Sequence, residues 1–218
     1  MKRNSDIKIL RAASLPGMKR LGPRFYRGNN VVLIAKQLIG KILVTNLNGI
    51  FTAARVVETE AYNGVVDKAS HAFGDRRTNR TEIMYGHGGA AYVYLCYGIH
   101  HLFNIVTNKA EVPHAVLIRA AEPLVGIDDM LIRTGKTKLD NTLTRGPGNV
   151  SKALGISTLH TGTLLNGNEI YVLDDGKKYL EEEIGVSPRI GVDYAGNDAL
   201  LPYRFYVKGN AYVSGKVR

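Results

Sequence analysis

The run RVVETEAYNG, residues 55–64, holds the residue types and spacing best suited to chemistry. It reads as a strand, on which successive side chains point to opposite faces. Val56, Glu58, Glu60 and Tyr62 then share one face, and Val57, Thr59 and Ala61 the other. Carboxylates beside an aromatic ring have two readings. One is a solvated face whose glutamates pair with arginines of a neighbouring strand. The other is a general base next to a platform on which a flat group stacks. The parts that bear on the second reading are His71, the arginines of FGDRRTNR (73–80), the hairpin tyrosines and Asn104.

The hairpin is AYVYLCYGIHHLFNIV, residues 91–106: a strand, a Tyr97-Gly98 break and a second strand. Hairpin tips usually carry Asn, Asp, Ser or Gly, whose backbones tolerate the turn and whose side chains tolerate water. Tyr97 and Ile99 at this tip imply that something apolar comes to cover them. Cys96 falls inside the first strand and reads as a buried, unreactive thiol. As the single cysteine, it excludes an intramolecular disulfide framework and fits a reducing compartment.

Two rival chemistries are visible. The adjacent His100 and His101 point to opposite faces of a strand, and no H-x-x-x-H or cysteine pair accompanies them. A metal-dependent nuclease would therefore rest on Glu58, Glu60 and Asp67. HGGA, residues 87–90, resembles an esterase oxyanion loop, but no G-x-S-x-G follows, so it reads as a turn.

Lys and Arg number 29 against 19 Asp and Glu, a formal charge of +10 with pI near 9.7. Such an excess favours an anionic partner, nucleic acid first, with a basic enzyme lacking any polyanion partner as the alternative. No apolar run approaches the ~20 residues of a membrane span. Residues 1–19 are basic and lack the apolar core of a secretion signal, so they read as a flexible leader to one domain over 20–218.

These residues need a scaffold. Helical spacing over 29–39 passes through Gly40 into a strand at 41–45, and Asn48-Gly49 turns the chain into a strand over 50–62. A strand over 114–123 leads to a helix over 124–135 closed by Gly135, and 151–156 is a second helical piece. Strands return at 169–175, 189–196 and 203–209. Strands joined by short turns with irregular helices argue for an antiparallel α+β domain.

RLGPRFY (20–26), VVETEAY (56–62), AYVYLCYG (91–98), Asn104 of FNIV (103–106), VLIRAAEPLVG (116–126), RGPGNVSKALGI (145–156), RIGV (189–192) and YRFYVKG (203–209) follow one another in order. In this the chain resembles the alkyladenine (3-methyladenine, or methylpurine) DNA glycosylases from about Arg20 to about Ser214. The resemblance implies a curved, mainly antiparallel β-sheet with peripheral helices and a protruding β-hairpin. It implies a monofunctional DNA glycosylase of base excision repair. Such an enzyme flips damaged purines (3-methyladenine, 7-methylguanine, hypoxanthine or ethenoadenine) out of duplex DNA and hydrolyses the N-glycosidic bond with a Glu-activated water. It implies no metal, cofactor, membrane or lyase step, and a monomer acting on double-stranded DNA. The location would be the cytoplasm and nucleoid of a prokaryote or the nucleus of a eukaryote. A non-catalytic damaged-DNA-binding module is the alternative.

By the same resemblance Glu60 is the general base, Arg119 helps hold the water and the carboxylate, and the backbone carbonyl of Ile190 is the water's third partner. Glu58 is structural. Tyr62, His71 and Tyr94 sandwich the flipped base, and Asn104 guards the purine 2-position. Tyr97, with Ile99, intercalates into the DNA. Arg76, Arg145 and Lys152 are the phosphate contacts; Asn149 departs from the lysine usual in the family, and His100 stands beside the wedge.

Overall fold

The computed structural model describes residues 17–215. Residues 1–16 of the expected leader lie outside them, and Lys19 already belongs to a strand. The strands are β1 (Lys19–Arg20), β2 (Ile42–Leu47), β3 (Ile50–Tyr62), β4 (Ala91–Cys96), β5 (His100–Thr107), β6 (His114–Val125), β7 (Ile170–Asp174), β8 (Ile184–Ser187) and β9 (Arg204–Val207). They form one sheet in the order β1-β7-β2-β3-β6-β5-β4, with β9 pairing β3 and β8. All pairs are antiparallel, which makes this the α+β domain expected.

β3 is the central strand, and it is long because two partners share its second edge. β6 lies along one side; β2 takes residues 50–55 of the other, and β9 takes over at Glu58–Glu60. The register against β6 slips around Val57 and around Arg119, and also beside Leu124. Such bulges bend a strand and re-aim side chains. Because of the first slip, Val56 and Val57 both join the main core cluster, so the expected alternation holds only from Glu58 onward.

Four helices flank the sheet: α1 (Pro23–Tyr26), α2 (Val31–Leu38), α3 (Ile127–Thr134) and α4 (Pro147–Leu154). Asn30 caps α2 by accepting from the Leu33 N–H at 2.9 Å. α2 then covers the back of β3, where Thr59 Oγ1 donates to the Ala35 carbonyl at 2.9 Å. With that face fixed, Glu58 and Glu60 are committed to the other.

Two elements differ from the sequence expectation. The second helical piece starts at Pro147, not at 151, and ends on Gly155 in the left-handed conformation. Residues 189–196 are not a strand: they form a bend followed by a 3-10 segment over Asp193–Leu200, with positive φ at Gly191 and Gly196. The strand lies earlier, at β8.

Candidate active site

The two glutamates of β3 are both fully buried, yet they are held differently. Glu58 accepts from Arg119 Nε (3.2 Å), Arg204 Nε (2.7 Å), the Ser214 N–H (2.7 Å) and Ser214 Oγ (3.0 Å). A carboxylate has about four acceptor positions, so Glu58 is saturated. Glu60 accepts from the Tyr62 hydroxyl (2.9 Å) and the Ile190 N–H (2.8 Å), with Arg119 Nη1 3.3 Å away. It keeps acceptor capacity to spare. Glu58 is therefore fully engaged by its neighbours, while Glu60 has acceptor positions left open.

Arg119 stands between them because β6 bulges there, and Arg204 supplies a second buried cation. Two carboxylates are thus matched by two guanidinium groups, as buried charges require. Ile190 reaches Glu60 through its N–H, a contact distinct from the carbonyl role expected of it.

Tyr62, Arg119 and Ile190, which hold Glu60, also line a cavity of about 430 Å³ that runs out to Leu95, Cys96 and Tyr97 of the hairpin. Cys96 is half-buried at this mouth, not sealed in the strand as its position suggested. His71, Tyr94, Asn104, Tyr92 and Arg80 line the same space. Asn104 is pinned to the wall by donating to the backbone carbonyls of Tyr92 (3.2 Å) and Leu102 (3.1 Å). His71 meets Tyr94 edge-on, ring centroids 4.6 Å apart.

The protonation of this cluster follows from its bonds. Arg80 donates to His71 Nε2 at 3.2 Å, so a neutral ring carries its proton on Nδ1 and offers it to the Tyr92 oxygen at 2.8 Å. Burial, then the charges of Arg80 and Arg76, hold the His71 pKa down to about 4. Burial and the Glu60 charge push the Tyr62 phenol well above its ordinary range, so it remains a donor to Glu60. The His71 shift has a stability consequence. Below the unfolded value of 6.5 the unfolded chain takes up a proton that the folded chain refuses. Stability is then expected to fall from about pH 6.5 toward pH 4, by on the order of 3 kcal/mol from this group. Urea midpoints of wild type and His71→Gln across that range check it: the variant should lose this part of the slope.

Some contributors were not singled out from the sequence. Arg189 lies 4.9 Å from the Tyr62 ring centroid, pairs with the buried Asp67, and donates to the Ala61 carbonyl, propping Tyr62 from behind. Asp67 is 122 residues away, so no local pattern could pair them. That pairing also takes Asp67 out of any shared site with Glu58 and Glu60; among the described residues no such ligand group assembles. In HGGA the Gly88 and Gly89 N–H groups are spent on the carbonyls of Asn108 and Val106, as befits a turn.

The hairpin tip projects fully. Tyr97 is 91% and Ile99 71% exposed. Tyr97 and Gly98 both have positive φ, and the Ile99 N–H closes onto the Cys96 carbonyl. A tyrosine held in the left-handed region costs roughly 1–2 kcal/mol. α4 packs beside the hairpin's second strand: a Cβ on Gly148 would lie 3.0 Å from the His100 ring. Arg145 and Lys152, both exposed, flank this contact, and Asn149 turns back to bond the Arg145 carbonyl. Arg76 is exposed in the loop after His71. The structure thus brings Arg119, Tyr62, His71, Tyr94, Asn104 and Ile190 to one cavity, with Glu60 buried behind its wall and Tyr97 at its rim.

A buried carboxylate thus stands behind an aromatic cavity, beside an exposed apolar tip on a basic protein. The sequence profile of the methylpurine-DNA glycosylase family matches residues 24–211. A relative from Desulfitobacterium hafniense is 42% identical over 206 residues, spanning 91% of this chain and all of the relative. One from Clostridium perfringens is 43% identical over 205 residues, 90% of this chain and all of its own. One from Bacillus cytotoxicus is 44% identical over 200 residues, 88% of this chain and 98% of its own. Each bears the name "Putative 3-methyladenine DNA glycosylase". The chain belongs to the methylpurine-DNA glycosylase family, and is accordingly a DNA N-glycosylase, a hydrolase of DNA repair.

Proposed function

We propose that this protein excises alkylated purines such as 3-methyladenine and 7-methylguanine from double-stranded DNA, after flipping the damaged nucleotide into the cavity. What carries the reading is Glu60: of the two buried glutamates of β3, it alone has spare acceptor capacity and sits directly behind the cavity wall. Glu60 orients a water and takes its proton as the water attacks the sugar C1′. The transition state is oxocarbenium-like, so the same negative charge also stabilises the sugar as the bond lengthens. An alkylated purine is cationic in the nucleotide, and the electrons of the breaking bond neutralise it, so it leaves without an added proton. Hypoxanthine and ethenoadenine are neutral and leave less readily.

Tyr97 fills the gap in the helix, replacing lost base stacking with ring stacking. Its exposed, strained position supports this, since the ring has no partner until DNA supplies one. Asn104, fixed to the wall, excludes the exocyclic amine of normal guanine. Arg76, Arg145 and Lys152 meet phosphates around the cavity and the α4–hairpin contact. Among the described residues no lysine lines the cavity, which supports a reaction without a lyase step. The protein works as a monomer without metal. The relatives compared are bacterial, which supports work on DNA in the bacterial cytoplasm, at the nucleoid.

The experiment is base release from alkylated duplex in excess chelator. Free base should appear, with strand breaks only after alkali. Breaks before alkali would point to a nuclease or lyase; binding without release would leave a non-catalytic module. Tyr97→Ala should weaken binding of lesion duplex roughly 5- to 150-fold, the worth of one base–ring stack, and leave thermal stability unchanged. Unaltered affinity by fluorescence anisotropy removes the wedge.

A further inference from the structure

Arg80 lines the cavity with its guanidinium carbon 4.9 Å from the Tyr94 ring centroid, while donating to His71 Nε2 at 3.2 Å. It lies against the ring on which a flipped base would stack. His71 meets Tyr94 edge-on, centroids 4.6 Å apart and planes at 79°, so the two rings form a corner of the cavity that Arg80 touches from both sides. A cation belonging to the chain thus lies against the Tyr94 ring at the cavity wall. Of the loop's arginines, Arg77 is committed to Glu82 and Glu111, but among the described residues neither Arg76 nor Arg80 has a carboxylate partner. Arg80 is otherwise exposed, met by His71, Tyr94 and the Tyr92 hydroxyl.

We infer that Arg80 is a specificity-determining plug: it occupies the Tyr94 face in the free enzyme, yields it to a flipped cationic purine while moving to a DNA phosphate, and reclaims it after cleavage. The inference rests on the excision reading above. Its logic is charge. The alkylated nucleotide offers Tyr94 a cation in exchange for the one displaced, and the nearby phosphate rewards the freed guanidinium. A free base or nucleoside brings no such phosphate anchor, so it must displace Arg80 without recompense. Bond cleavage sends the glycosidic electron pair onto the base and the oxygen of water onto C1′. The product base is then neutral, and Arg80 competes with it on better terms. One side chain thereby favours bases carried on DNA over loose ones and helps expel product.

The test compares wild type, Arg80→Ala and Arg80→Lys on two probes, free 3-methyladenine and a duplex carrying an alkylated purine. Arg80→Ala is expected to bind the free base roughly 2- to 30-fold more tightly, the worth of the displaced cation–π contact. It should bind the duplex less tightly, with the slope of log affinity on log salt smaller by about 1. Arg80→Lys should keep the salt slope while binding free base more tightly than wild type, because a compact ammonium lacks the flat stacking group. Opposite changes on the two probes are outside what a merely structural role produces, and melting temperatures of the variants verify the fold. Free-base affinity that is unchanged or weaker in Arg80→Ala overturns the plug. Single-turnover base release by wild type, run alongside, keeps the two ideas apart: no release sinks the excision reading, whereas release with unaltered free-base affinity sinks only the plug.

Discussion

Glu60→Gln is expected to lose base release by a factor of about 10²–10⁴ while still folding and still capturing lesion duplex. The substitution is nearly isosteric, and the amide oxygen continues to accept from the Ile190 N–H that meets Glu60 at 2.8 Å. The Tyr62 hydroxyl, 2.9 Å from the carboxylate, reverses its role and accepts from the new amide. Arg119 keeps its contact with Glu58, so no guanidinium is orphaned. Under the proposed mechanism, what disappears is the basic oxygen that takes the water's proton and the charge that steadies the developing oxocarbenium. Removing a negative group from a site that must accept DNA does not weaken binding. Single-turnover base release and equilibrium binding, measured on the same duplex, separate the two effects. A variant that turns over near the wild-type rate takes the base assignment away from Glu60.

Arg119→Ala is expected to act on stability first. Arg119 bridges Glu58 at 3.2 Å and Glu60 at 3.3 Å, all three side chains being almost wholly enclosed. Removing one partner of a buried ion pair leaves a charge that neither water nor protein satisfies, at a cost of about 3–5 kcal/mol. Against a typical domain stability of about 5–15 kcal/mol, that is a large fraction. Glu58 is cushioned by Arg204 and Ser214, so most of the loss traces to Glu60. The double variant Glu60→Gln/Arg119→Ala should therefore be more stable than the two single losses summed, with a coupling of roughly 1–3 kcal/mol in urea titrations. Strict additivity would mean that Arg119 does not neutralise Glu60.

Much of this site was legible because local pattern and long-range pairing agree along β3. Its run over Ile50–Tyr62 was visible in the sequence, as was the shared face of Glu58, Glu60 and Tyr62. The tip Tyr97 declared itself by being the wrong residue for a hairpin turn. The division of labour between the glutamates followed only from the resemblance and not from local pattern, because Glu58 is saturated by Ser214 from 156 residues away. The Arg119 bulge was equally hidden, since a register slip is set by both strands together. RIGVDYAG imitated a strand by alternation, but Gly191 and Gly196 take positive φ there, and the segment serves to carry the Ile190 N–H to Glu60. α4 was placed late because the helix reading began at Ser151, although Pro147 and Gly155 bracket it with ordinary start and stop signals.

The measurement that bears most directly on the central claim is the crystal structure of Glu60→Gln bound to a duplex carrying one alkylated purine. The damaged base should lie in the cavity against Tyr62 and Tyr94, with the sugar C1′ turned toward residue 60 and the Tyr97 ring stacked in the vacated position. A base still paired within the helix and Tyr97 lying outside it, or a base lodged with its C1′ remote from residue 60, would contradict the claim that this cavity is where the glycosidic bond is broken.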